Sequence, residues 1–263
     1  MEAVDVVGFA VNSKFKTELA PLLEEFTKGF EIGEKARLPE LKIRLKAGCE
    51  FKSRQLRRTP LKFRRFMEEE ISELKKQGVI RASENPFFSP LVIVPKKGGH
   101  LRLCVDYREL NAITIPYPHP LPRIDDCIEA LEGQKLFASL DLSKGFHHVP
   151  IAEDSTGKTA FCTPFGEYEY LYMPFGLINA PSHFQFCMNR VFEGLIGHCC
   201  VVYIDDVLIF GKNIEELKEN LRLVLERVRR WNLHLNTKKC IIGAESIEFL
   251  GFNITQLVRK VLP

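Results

Sequence analysis

Two apolar runs, VVYI and VLIF, are separated within residues 201–210 by nothing but Asp205 and Asp206. Runs of this length, rich in β-branched residues and broken by turn-forming acids, predict a tight β-hairpin joined at Asp205–Asp206. Adjacent carboxylates resist joint ionisation, so two of them at the hinge of a buried hairpin are costly without a cation. Plain turn chemistry is the other reading, because Asp is a favoured turn residue. A second apolar stretch, LFASLDL at 136–142, predicts a strand that carries Asp141 near its end. Three carboxylates delivered by adjacent strands offer all-oxygen, hard ligation, which suits Mg²⁺ rather than zinc. Two metals held there could activate a hydroxyl and stabilise a leaving oxyanion in phosphoryl transfer.

The rest of the chain mixes strands and helices without strict βαβ alternation, so the expected class is α+β. Helices are expected at Thr17–Lys28, after Thr59 with Pro60 at its first position, at Arg123–Glu132, at Ala180–Gly194 and at Ile214–Trp231. The last has an apolar stripe of Leu217, Leu221, Val224, Leu225 and Val228. LVIVP (91–95) and RLCVDY (102–107) flank KKGGH as a hairpin with a basic, glycine-rich tip. Residues 31–58 read as extended, 159–173 as two short strands about Pro164–Gly166, and IEFLGFNI (247–254) as a final strand pair or hairpin arm.

Hydrophobic residues make up 45% and charged residues 27%, enough to bury a core and too apolar for general disorder. No apolar run approaches the roughly 20 residues that span a bilayer, and MEAVDVVGFAVNSKF lacks the pattern of a signal peptide. The eight cysteines include no CxxC pair and read as reduced thiols, so an intracellular, cytoplasmic or nuclear location with no membrane partner is expected. His147–His148 and His198–Cys199–Cys200 suggest zinc, but neighbouring strand residues point to opposite faces. The net charge is 37 − 34 = +3, yet Lys35–Arg65 holds twelve Lys or Arg against Glu40 and Glu50. That stretch is either a polyanion-binding surface or a solvated face.

Several segments together resemble the successive blocks of reverse transcriptases: LDLSKGFHHVPI (140–151), LYMPFGLINAPSHFQ (171–185), VVYIDDVLIF (201–210) and EFLGF (248–252). With SPLVIVPKKGGHLRLCVDYRELN (89–111) and PLPRIDD (120–126), the resemblance narrows to gypsy-like LTR retrotransposons and covers about residues 59–254. It implies a right-hand polymerase fold: fingers and palm, with an antiparallel palm sheet flanked by helices. It also implies use of Mg²⁺ or Mn²⁺, an RNA or DNA template-primer, and dNTPs as substrates.

Position by position, the resemblance makes Asp141, Asp205 and Asp206 the catalytic, metal-binding aspartates, with Tyr203 at the start of the YxDD block and the Leu142 carbonyl as a further ligand. Lys144 and Gly145 would offer backbone N–H groups to the triphosphate. Phe146 would be the steric gate against a ribose 2′-OH. Arg102 and one of Lys96 or Lys97, with Lys97 favoured, would clamp the outer phosphates. Phe175 and Gly176 would contact nucleotide and template, and Phe249, Leu250 and Gly251 would form the primer grip. Core packing is the other reading for Phe146 and Phe175.

The chain departs from the family pattern at Gly98–Gly99, where an acid is common, and at His148, where the family often has Gln. The resemblance divides it into an N-terminal extension (1–34) and fingers plus palm (35–263, core 78–254), with thumb and ribonuclease H parts expected to be absent. The implied activity is RNA-directed DNA polymerisation. The rival reading is a truncated or domesticated remnant that binds nucleic acid with little or no polymerase activity. Polyprotein neighbours or a dimer partner would complete the list of partners.

Overall fold

The computed structural model describes residues 2–28, 35–49, 60–95, 101–117, 119–256 and 259–261. In chain order the strands are β1 (Ala3–Val6), β2 (Phe9–Asn12), β3 (Ile80–Ala82), β4 (Ser89–Pro95), β5 (Leu101–Val105), β6 (Leu136–Asp141), β7 (Phe161–Thr163), β8 (Gly166–Tyr170), β9 (Cys200–Tyr203), β10 (Asp206–Gly211), β11 (Ile241–Ala244), β12 (Ser246–Phe249), β13 (Phe252–Thr255) and β14 (Arg259–Val261). The α-helices are α1 (Lys16–Lys28), α2 (Arg64–Lys76), α3 (Arg108–Ile113), α4 (Ile124–Glu129), α5 (Glu153–Thr156), α6 (Ala180–Val191) and α7 (Ile214–Arg230). The class is α+β, as expected. Two compact units share these elements: residues 1–37, 119–145 and 184–263 form one, and residues 38–118 and 146–183 the other.

The first unit is organised around a six-stranded sheet in the order β1-β2-β11-β6-β10-β9. Its pairings are antiparallel except β2 with β11, which run parallel. At the centre, β6 and β10 pair without a break from Asp141↔Asp206 to Leu136↔Gly211. Apolar side chains fill both faces of β10, where residues Val207–Phe210 are all buried. Leu208 and Phe210 join Phe137, Cys127, Ile128, Leu131 and Phe249 in one core cluster. Helix α7 is capped by Asn213, whose side chain accepts from the Glu216 N–H. Its predicted stripe is buried as expected. Asn220 Nδ2 donates to the Phe210 carbonyl at 2.9 Å. Gly211 permits this close approach, since a Cβ there would lie 2.6 Å from the Leu217 nitrogen.

The N-terminal stretch was expected only as a lead with one helix. It supplies two strands of the sheet that carries Asp141. Phe9 and Val11 are fully buried, and β2 aligns Ala10 with Ile241 and Val11 with Ile242. Asn12 Nδ2 donates to the Gly243 carbonyl at 2.9 Å. Helix α1 buries Leu19, Leu23 and Phe26, and Arg229 of α7 donates to the Glu25 and Phe26 carbonyls, both at 2.9 Å. A cation at a helix C-terminus satisfies orphan carbonyls and opposes the dipole.

The second unit carries a five-stranded sheet, β3-β8-β7-β4-β5. The expected β4–β5 hairpin forms, with Val94 opposite Arg102. Its tip, residues 96–100, lies outside the described residues. The LKIRLK segment is extended but makes single bridges, Leu41↔Ile151 and Leu45↔Thr114, instead of a ladder. Leu41 and Ile43 are buried while Lys42 and Arg44 are exposed, the alternation expected of a half-buried extended chain. The helix expected from Pro60 begins later. Pro60 precedes a 3-10 turn at Leu61–Phe63, and α2 starts at Arg64. Thr59 lies outside the described residues. The helix expected at Arg123–Glu132 is regular only over α4, with a turn at Gly133 in positive φ.

Candidate active site

Asp141 ends β6 and Asp206 opens β10, directly opposite one another. Directly opposed residues of an antiparallel pair share a face, and like charges there repel. The turn between β9 and β10 differs by one residue from expectation. Tyr203↔Asp206 is the closing pair, so the turn residues are Ile204 and Asp205, and Asp206 belongs to the strand. Ile204 has φ 56°, a region that β-branched residues rarely enter. Positive φ at the first turn position alone is the pattern of a type II′ hairpin turn.

Gln185 of α6 holds that turn. Its Oε1 accepts from the Ile204 N–H at 2.7 Å, and its Nε2 donates to the Val202 carbonyl at 3.2 Å and to Asn189 Oδ1 at 2.9 Å. The side chain is 1% exposed, so every polar atom of its amide has a use. Sequence reasoning missed it. The available signal was a lone amide in an apolar helical stretch, HFQFCM.

The main chain of Asp141 is fastened as well. Its N–H donates to Cys240 Sγ at 3.4 Å, and its carbonyl accepts from the Asn236 N–H at 2.8 Å. Lys239 Nζ stands 3.8 Å from Asp141 Oδ2, with both groups open to solvent. The Asp206 side chain still reaches water at the strand end. Partial desolvation pushes its carboxyl above the ordinary range all the same, and the Asp205 and Asp141 carboxylates add to that shift.

Carboxylates are the donor type that a hard divalent cation takes. Among the described residues no group of three or more His, Cys, Asp or Glu side chains that could hold a metal ion is formed. The three aspartates stand at the turn end of β6, β9 and β10, and the rise at Asp206 comes first from desolvation and then from the Asp205 and Asp141 carboxylates. Mg²⁺ prefers such carboxylates, with water and phosphate filling its other positions. Gly145 packs beside them: a Cβ there would meet Asp205 Cβ at 3.4 Å and Phe184 Cζ at 3.2 Å. Lys144 precedes it with φ 51° and an exposed side chain. Leu142 is buried and bridges to Leu235.

The expected gate and clamp residues of the second unit meet each other. The Phe146 and Phe175 rings lie 4.9 Å apart between centroids, tilted by 32°. The Arg102 guanidinium carbon sits 4.6 Å from the Phe175 centroid. His147 lies against the same ring at 6.1 Å and against Tyr170 at 6.4 Å. Gly176 has φ 96°. Its carbonyl accepts from Asn111 Nδ2 at 2.8 Å, while Asn111 Oδ1 accepts from the Ile178 N–H at 2.9 Å. Asn111 therefore pins the Phe175 loop, another role that sequence reasoning missed although DYRELN had been singled out. Lys96 and Lys97 lie outside the described residues.

Phe249, Leu250 and Gly251 occupy the β12–β13 hairpin of the first unit. Leu250 and Gly251 have φ 51° and 81°, the type I′ pattern. Phe249 is 5% exposed within the core cluster, so its ring anchors the hairpin from below.

Comparison with known proteins agrees with this architecture. The chain belongs to the reverse transcriptase (RNA-dependent DNA polymerase) family, which it matches over residues 94–254. It is 41% identical over 194 residues to the retrovirus-related Pol polyprotein from transposon 297 of Drosophila melanogaster, covering 72% of this chain and 18% of that one. To the polyprotein from transposon gypsy of the same species it is 38% identical over 197 residues, covering 73% and 19%. The chain thus spans about a fifth of the length of these relatives. Its fold is similar to that of the foamy viral protease-reverse transcriptase solved in complex with RNA/DNA hybrid. The TM-score is 0.85 at 24% identity, over 98% of this chain and 35% of the other. Reverse transcriptases as a family use divalent metal ions, and no described helix here is long and apolar enough to cross a membrane.

Proposed function

We propose that the chain carries the polymerase chemistry of an RNA-directed DNA polymerase from a gypsy-like LTR retroelement. The first unit acts as the palm and the second as the fingers. The reaction is attack of a primer 3′-OH on the α-phosphate of a dNTP, forming a phosphodiester bond and releasing pyrophosphate. The observation that carries this reading is the face-to-face placement of Asp141 and Asp206 beside the Asp205 turn.

Asp141, Asp205, Asp206 and the Leu142 carbonyl would hold Mg²⁺ or Mn²⁺. Bound there, the metal would supply Lewis-acid stabilisation of the nucleophile and of the departing pyrophosphate. The chain's own groups do the rest. Lys97 and Arg102 take up negative charge on the outer phosphates, Lys97 in preference to Lys96. The backbone N–H groups of Lys144 and Gly145 cradle the triphosphate. Phe146 excludes a 2′-OH, and Phe175 with Gly176 borders the nucleotide and template. The Phe249–Leu250–Gly251 hairpin holds the primer end. An RNA or DNA template-primer is the macromolecular partner in this reading; the foamy viral protease-reverse transcriptases of similar fold were solved in complex with RNA/DNA hybrid and with double-stranded DNA.

The test is extension of a labelled DNA primer on an RNA template with each dNTP in turn. Incorporation of only the nucleotide complementary to the template supports the reading. Untemplated addition, or no incorporation with either Mg²⁺ or Mn²⁺, refutes it.

A further inference from the structure

Arg102 and Phe146 have separate tasks in the proposed reaction, one at the phosphates and one at the sugar. The structure gives them a shared neighbour. The Phe175 ring lies 4.9 Å from the Phe146 ring and 4.6 Å from the Arg102 guanidinium. It cannot drift to serve one partner alone, because Asn111 grips its loop from both sides of Leu177, at the Gly176 carbonyl and the Ile178 N–H. The ring is nevertheless 40% exposed, too open for a residue whose task is to fill a core.

We propose that Phe175 is a positioning residue that couples phosphate recognition at Arg102 to sugar selection at Phe146, so that the gate is set through the ring that the guanidinium stacks on. The inference rests on the polymerase reading above and deepens it. A guanidinium over an aromatic face and a close aromatic pair are each worth a modest, geometry-dependent attraction. Phe146 needs a backing surface to stand where a 2′-OH would collide with it, and Phe175 is such a surface. Removing either partner of Phe175 then loosens the other. Arg102 should affect the choice between deoxyribose and ribose although its proposed contacts are with phosphate.

The experiment measures single-nucleotide incorporation of a dNTP and of the matching rNTP, each as kcat/KM, on one template-primer. The proteins are the wild type, Phe175→Leu, Phe175→Tyr, Arg102→Leu and the double substitution, with thermal melting to confirm folding. Phe175→Leu is expected to lower the dNTP-to-rNTP ratio on the order of tenfold, with KM for dNTP raised more than kcat falls. Phe175→Tyr keeps the ring and is expected to keep the ratio. Arg102→Leu should lower the ratio too, and the double substitution should lower it no further than Phe175→Leu alone, the non-additivity of residues acting as a unit. An active wild type whose ratio is unchanged in Phe175→Leu, or whose Arg102 and Phe175 effects multiply independently, overturns the inference and leaves the polymerase reading standing. A folded wild type that incorporates neither nucleotide overturns both.

Discussion

Asp205 occupies a turn and is exposed, so its charge rather than its packing is what the molecule uses. Asp205→Asn should therefore fold and melt like the wild type while extension falls by at least about a thousandfold, the scale of losing a group that acts on transition-state charge. A folded Asp205→Asn protein with full activity would remove the metal assignment. Phe146→Val should admit ribonucleotides by relieving contact with the 2′-OH, the atom that separates RNA from DNA precursors. An unchanged dNTP-to-rNTP ratio would return Phe146 to a packing role. Gln185 makes a different kind of prediction. Gln185→Leu leaves the Ile204 N–H without its acceptor and releases a turn at positive φ. It should cost about 1–3 kcal/mol of stability and lower kcat. Thermal melting and extension kinetics check both. The strand-end place of Asp141 and the turn place of Asp205 were legible because acids stand out in apolar runs. Gln185 was not, because its use depends on which turn α6 packs against, and nothing in its own neighbours encodes that.

At the scale of elements, strands announced by apolar runs were read well: β6, β9, β10 and the β4–β5 and β12–β13 hairpins fall where periodicity puts them. The misses share a cause. β1 and β2 are short, and β2 gains its place by parallel pairing with β11 more than two hundred residues away, a relation no local window carries. The same holds for LKIRLK, whose alternation was right but whose partners offer single bridges. The pairing makes β1 and β2 part of the sheet that bears Asp141, with α1 following them. Gly8 marks the fit, since it has φ 89° and a Cβ there would lie 2.7 Å from Thr237 Oγ1. Removing residues 1–28 should expose β11, lower the melting temperature and diminish extension. An unaltered melting temperature would show that the hairpin only decorates the edge. In α7, Leu221 is fully buried, and Leu221→Ala should cost about 2–5 kcal/mol in denaturant unfolding.

At the scale of the whole molecule, a net charge of +3 conceals the basic stretch Lys35–Arg65, within which residues 35–38 and 41–44 alternate between core and solvent. Exposed Lys42 and Arg44 belong to it, while Lys46 also donates to the Ala112 carbonyl at 2.8 Å. If that face meets phosphate, binding to duplex should weaken with salt by about 0.9 in log K per log salt for each contact. Lys42→Glu combined with Arg44→Glu should then flatten the slope, and an unchanged slope would leave the stretch a solvated face. The aspartate end offers the most direct test of the central claim, that three like charges are gathered to hold a cation and transfer a nucleotide. Because the Asp206 carboxyl is raised, the native state holds its proton more tightly than the unfolded chain. Stability from this group therefore falls as pH rises through the window between the ordinary and the raised value, and remains lower above it. At neutral pH a bound cation should offset that repulsion. The decisive measurement is a Mg²⁺ or Mn²⁺ titration that follows melting temperature and single-nucleotide extension together, in the wild type and in Asp141→Asn, Asp205→Asn and Asp206→Asn. The account predicts that melting temperature and extension rise together with metal in the wild type, and that each substitution abolishes extension and blunts the metal-dependent rise in melting temperature. Extension near the wild-type rate in any folded aspartate variant, or a metal response equal in all four proteins, would contradict it.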